Sequence, residues 1–201
     1  MRLIEAEQKL LSLQQPVLQT RDVSACLNIP TAQASKILEH LVVAGRFVRL
    51  MRGRWATSRQ IDPLILPEYL TAPFPSYVSL QTALFYHGMI SQIPPTIYAV
   101  SLARTRQYLT SFGNISIHHL HPDFFFGFEQ IGQIKMATME KALIDILYLI
   151  PAKSKLFKTL PEVEFPQSFS AKKVNAMINK ITSVRTKTLV QNRFEDLWAK
   201  A

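Results

Sequence analysis

The tightest constraint on this chain lies between Thr20 and Gly45, where two helical apolar stripes are separated by a four-residue turn. Thr20 is placed to cap the first helix, "RDVSACLN", whose Val23, Cys26 and Leu27 face inward. Asn28 suits a left-handed closing residue, and Pro30 forbids continuation. Thr31 can cap the next helix, in which Ala34, Ile37, Leu38, Leu41 and Val42 follow the i, i+3, i+4, i+7, i+8 series of a buried face. Gly45 ends it. A short helix, a tight turn and a longer helix must pack at a steep angle. Upstream, Leu3, Ala6, Leu10 and Leu13, with Ile4 and Leu11 beside them, predict one apolar stripe on a first helix that stops before Pro16. Downstream, "RFVRLMRGRWATSR" (residues 46–59) reads as two short strands around Arg52-Gly53. The order describes a winged helix-turn-helix over residues 1–60.

That hairpin holds five arginines and no acid. With its core face assigned, the longer helix leaves Gln33, Ser35, Lys36 and His40 pointing outward, where the start of a recognition helix meets base edges. Gln33 suits adenine, Lys36 guanine or phosphate, and Ser35 either. Thr31 and the free amides at the helix start suit a phosphate. Arg46, Arg49, Arg52, Arg54 and Arg59 become phosphate or minor-groove contacts, for which four or five predict a log–log salt slope near about −4 per domain. Phe47 and Trp55 read as packing for the hairpin. The alternative is a solvated basic hairpin, or one that contacts protein.

Charge follows the same division. Residues 1–60 carry a net +5, residues 61–150 a net −2 and residues 151–201 a net +6, within a total of +9. Basic ends around a near-neutral middle fit a nucleic-acid-binding module joined to something else. Hydrophobic content of 48% suits a folded core, and no apolar run reaches the ~18 residues of a membrane helix. The first residues mix charges through their apolar positions, unlike a secretory signal, so a cytoplasmic location is expected. Cys26, the single cysteine, excludes an internal disulfide.

Pro63, Pro67, Pro73 and Pro75 predict an extended linker over residues 61–75. Residues 76–150 then read as an α+β unit. Ser79 caps a helix with Leu80, Ala83, Leu84 and His87 on one face and Gly88 as its stop. Strand-like runs follow in "TIYAVSL", "ISIHHLH", "FFFGFEQI" and "QIKMA". Thr138 caps a second helix that buries Leu143, Ile146, Leu147 and Ile150. Residues 151–201 read as a connector broken at Pro151, Pro161 and Pro166, then two basic helices. Val174, Met177, Ile178 and Ile181 line one; Leu189, Val190, Phe194, Leu197 and Trp198 line the other. They are expected to pack on the middle unit or on a partner. Lys172, Lys173, Lys180, Arg185, Lys187 and Arg193 form a solvated basic face, or one that meets an acidic partner or DNA.

"YVSLQTALFYHGMI", followed some fifty residues later by "ATMEKALIDILYL" behind a winged helix, resembles the AbiEi-type antitoxins and their regulator relatives over most of residues 1–150. The resemblance implies the antitoxin of an abortive-infection toxin–antitoxin pair that represses its own operon by binding double-stranded operator DNA. It further implies a nucleotidyltransferase toxin as partner. Neither phrase supplies a catalytic residue, and their apolar members read as core.

Two enzymatic readings compete. His119, His121 and Asp123 could hold a divalent ion, but no established ligand spacing supports it. Pro122-Asp123 with Gln133-Ile134-Lys135 resembles a restriction-type nuclease pattern with glutamine where a carboxylate should bind Mg²⁺. No catalytic residue, cofactor or metal is therefore expected. The expectation is a non-enzymatic DNA-binding regulator, with a homodimer possible. The alternative is a stand-alone winged-helix transcription factor whose middle domain binds a ligand or protein.

Overall fold

Pro16 and Gly45 bracket the second and third helices of the first unit, and the strand after Pro16 joins the two strands after Gly45 in a small sheet. The computed structural model describes residues 2–150 and 162–200. Helix α1 (Leu3–Leu11) leads into strand β1 (Val17–Gln19), then α2 (Thr20–Leu27) and α3 (Thr31–Val43). The hairpin β2 (Val48–Met51) and β3 (Arg54–Ala56) follows, and the sheet order is β1-β3-β2, antiparallel throughout. Strand β1 was not legible in the sequence: three residues after a proline carry no alternation. It pairs Leu18 with Trp55, and these two residues join Leu10, Val23, Leu38, Leu41 and Phe47 in one buried cluster.

Three local expectations need correction. Thr20 is the first residue of α2 and not its cap. Gln19 precedes the helix and donates its N–H to Asp22, while the Thr20 hydroxyl accepts from Trp55 Nε1 at 2.9 Å. Thr31 likewise follows the cap, which is Pro30. The α1 stripe is split: Ala6 and Leu10 are buried, whereas Leu3, Ile4, Leu11 and Leu13 are exposed. A stripe that wide exceeds what one short helix can turn toward a small core. Asn28 does close α2 in the left-handed region, at φ 51°.

The proline-rich stretch is also not extended. Asp62 caps a 3₁₀ turn (Pro63–Ile65) that continues into α4 (Leu66–Thr71). Pro63 and Pro67 occupy first-turn positions, where a missing N–H breaks no helical bond. Leu66 and Leu70 pack with Val17, Leu50 and Ala56 of the first unit, and with Ala99, Ile115 and Ile117 of a second sheet. The two units are thus joined by a shared apolar layer.

That second sheet contains β4 (Ser76–Val78), β5 (Thr96–Ser101), β6 (Arg106–Thr110), β7 (Gly113–His119), β8 (Phe128–Ile131) and β9 (Ile134–Ala137), in the order β6-β7-β5-β4-β9-β8. β5 with β7 and β4 with β9 are parallel, and the other pairs antiparallel. Alternation makes it two-faced: Ala99 looks toward α4, Val100 toward the opposite layer. That layer holds α5 (Leu80–Tyr86), α6 (Met139–Leu149), α7 (Ala171–Ile178) and α8 (Val184–Trp198). The chain is therefore α+β, with eight α-helices and two sheets among the described residues.

The "FFF" run departs from its expected strand. Pro122–Phe124 is a 3₁₀ turn, and Phe124, Phe125 and Phe126 pack against the helical layer before β8 begins. Thr138 caps α6 as expected, accepting from the Lys141 N–H. Val174, Ile178, Ile181, Val190 and Phe194 pack α7 and α8 into the same core as α6. Trp198 ends α8 beside Phe165, Phe169 and Phe194, at centroid distances of 4.9, 5.7 and 6.0 Å. The expected connector breaks at Pro151 and Pro161 lie outside the described residues.

Candidate nucleic-acid interface

On α3 the inward series leaves Thr31, Gln33, Lys36 and His40 exposed, and Ser35 half-buried. The second unit covers none of the four exposed side chains. The expected amide nest at the helix start is smaller than the sequence suggests, because the Gln33 and Ala34 N–H groups both donate to the Pro30 carbonyl, at 2.9 and 3.0 Å.

The hairpin arginines divide by direction. Arg52 is exposed at the turn, where Gly53 adopts φ 77°. Arg49 is exposed with its guanidinium carbon 5.4 Å above the centroid of the buried Trp55 ring, a stack that holds the charge at the surface. Arg46 is exposed and lies 3.8 Å from the mostly buried Glu7 carboxylate, with which a phosphate would compete for it. Arg54 must be withdrawn from the set of DNA contacts: it turns toward the second unit and donates to the Ala72 carbonyl at 3.3 Å. Burial lowers its pKa, and the nearby Arg21 and Arg106 charges add to that effect. Arg52 belongs to the turn and Arg54 opens β3, a difference that the arginine count alone hides. Arg59 is exposed but sits beside Gly45 at the far end of α3.

Arg21 was overlooked. Its side chain is 74% exposed on the first turn of α2, and the neighbouring Thr20 N–H donates to the Gly53 carbonyl at 3.1 Å, so it stands next to the hairpin turn. The signal was a basic residue directly after the supposed cap. Phe47 and Trp55, exposed by 1% and 2%, are core and not stacking platforms.

A second polar group lies buried in the other unit. Asp145 on α6 accepts from Tyr77 Oη at 3.0 Å and Ser79 Oγ at 2.7 Å, and pairs with Lys141 one turn earlier. Lys141 Nζ also lies 3.8 Å from the Phe124 ring centroid and 4.7 Å from that of Phe126. Burial pushes the carboxyl up and the ammonium down, each opposed by the partner's charge. Burial and Asp145 together push the Tyr77 phenol well above its usual range. These four residues come from the two phrases whose apolar members the sequence reading took for core. Their polar members tie β4 and the start of α5 to α6. Both ionisable groups are fully buried, so the cluster offers no surface to a substrate.

The residues of the rival readings are engaged elsewhere. His119 Nδ1 meets the Ala103 carbonyl, His118 is buried 3.0 Å from Ser116, and His121 sits 3.4 Å from Asp123. Lys135 pairs with Glu68 on α4. Among the described residues no three His, Cys, Asp or Glu side chains cluster as metal ligands, and no helix is long and apolar enough to cross a membrane.

Set beside known proteins, the chain matches no family model and no curated sequence.

Proposed function

We propose that the protein is a sequence-specific, non-catalytic binder of double-stranded DNA. In this reading residues 1–60 are a winged helix-turn-helix, with α3 as the recognition helix and β2–β3 as the wing. The element order helix, strand, helix, helix, strand, strand, with sheet order β1-β3-β2, supports that assignment. The observation that carries it is the joint exposure of Gln33, Lys36 and His40 on α3 and of Arg46, Arg49 and Arg52 on the neighbouring hairpin segment, with no acid between residues 46 and 59. Amide and ammonium side chains at the helix start suit base edges; guanidinium groups on the hairpin suit the backbone.

Within that class we favour an antitoxin-type repressor acting on its own operon, in line with the AbiEi-type resemblance, with a nucleotidyltransferase toxin as the cognate partner. The support is the two phrases, which supply the buried Tyr77, Ser79, Lys141 and Asp145 group. The test is fluorescence anisotropy on the DNA upstream of the gene against a scrambled duplex. The native sequence should bind at least tenfold tighter, and Gln33→Ala with Lys36→Ala should erase that preference, each lost base contact removing about 1–3 kcal/mol of discrimination. Equal affinity for both duplexes, unchanged in the variants, would reject sequence-specific binding. A nucleotidyltransferase reading frame adjacent to the gene separates the antitoxin from a stand-alone regulator.

A further inference from the structure

Between the two units lies a cleft of about 340 Å³ lined by Val42, Phe47, Val48, Arg59, Ser111 and Phe112. Its walls come from the end of α3, from β2, and from the β6–β7 turn. The Ser111 hydroxyl donates to the Arg49 carbonyl at 2.9 Å, which fixes that turn against the hairpin. Phe47 is buried and Val42, Val48 and Phe112 are half-buried, so the cleft sets an apolar wall beside the polar Ser111 and Arg59. Arg59 is the charged lining residue, and among the described residues no acid lies within ion-pair distance of it.

We infer that this cleft binds a small amphipathic organic acid, with its apolar body against the half-buried Val42, Val48 and Phe112 and its carboxylate on Arg59. One planar guanidinium matches one carboxylate in a two-point contact. A phosphate dianion would meet one cation and apolar walls, leaving charge uncompensated; a neutral ligand would cover Arg59 without replacing its hydration. The volume falls within the usual range of small-molecule sites and admits about ten to fifteen non-hydrogen atoms at interior packing density.

The cleft shares Arg59 with the proposed DNA face. Arg59 held by a ligand is withdrawn from the DNA backbone, so occupancy should weaken DNA binding. This second step rests on the proposed function.

The test is calorimetry on the full chain with 1-naphthoate and its uncharged isostere 1-naphthamide. Naphthoate should bind one site with a Kd between about 10 μM and 1 mM. The amide, and naphthoate with Arg59→Gln, should bind about tenfold weaker or worse. Ser111→Phe, which fills the cleft from an exposed loop, should abolish binding, while Arg104→Gln at a separate exposed arginine should leave it unchanged. No saturable binding, equal binding of the amide, or binding that survives Ser111→Phe would overturn the inference. Naphthoate binding by a protein that ignores all DNA would uphold the cleft and reject the proposed function instead.

Discussion

Removing one charge from the buried Lys141–Asp145 pair should damage the fold far more than removing both. In Asp145→Asn the amide oxygen can still accept from Tyr77 and Ser79, but Lys141 keeps an ammonium at 0% exposure against the Phe124 and Phe126 rings. Breaking a buried pair in this way costs about 3–5 kcal/mol. At roughly 2–4 °C per kcal/mol for a chain of this size, Tm should fall by about 10 °C. In Lys141→Met the carboxylate loses its cation and keeps two hydroxyl donors. Its cost at pH 7 is capped near 4 kcal/mol, because protonating a carboxyl about three pH units above its ordinary pKa removes the charge altogether. The sign follows: a carboxyl whose folded pKa is raised destabilises at high pH, so the deficit should shrink as pH falls toward the unfolded value near 4. The double variant Lys141→Met/Asp145→Asn removes both charges and keeps an acceptor for the hydroxyls. It should recover about 2 kcal/mol or more relative to the sum of the single changes. Urea unfolding followed by tryptophan fluorescence and circular dichroism, from pH 5 to 8, measures all three. A single-variant cost below about 1 kcal/mol, or strict additivity in the double, would refute the reasoning.

Burial holds the His118 imidazole down to about 4, so it folds neutral. Its contribution is complete above the unfolded value near 6.5 and is lost as pH falls through 4, up to about 3 kcal/mol; in urea titrations His118→Gln should flatten that part of the stability profile. Gly127 adopts φ 77°, and a Cβ there would sit 3.0 Å from Lys141 Cγ. Gly127→Ala should therefore cost about 2 kcal/mol or more in thermal melts, and more than Gly132→Ala, where φ 58° strains a side chain but nothing lies within 4 Å. Leu66→Ala removes a fully buried side chain from the layer joining the units and should cost about 2–5 kcal/mol, read as a lower Tm and faster proteolysis near residue 62.

Much of the fold was legible where local signals and burial agreed. The face of α3, the Asn28 closure, the Gly53 turn and the Thr138 cap all follow from residue type at a fixed offset. Strands β1, β4 and β6 escaped because three to five residues give too little periodicity, and their partners lie far along the chain. The helical course of residues 63–71 escaped because proline was read as a breaker, although at a first turn it is not. At the candidate interface, outward positions on a regular helix could be assigned from sequence. Arg54 could not, because only the docking of the second unit decides which arginines it covers. The Tyr77–Ser79–Lys141–Asp145 group needed three dimensions: β4 and α6 are separated by some sixty residues.

In the proposed complex Arg46, Arg49, Arg52 and Arg59 face a polyanion while Arg54 does not. The direct measurement is the affinity of the full chain for duplex DNA across a salt series from about 50 to 300 mM. A log–log slope between about −3 and −5 is predicted, flattened by about two units in Arg49→Ala/Arg52→Ala and unchanged in Arg54→Ala. A slope near zero, no binding at the lowest salt, or an Arg54→Ala slope as shallow as that of the double variant would contradict it.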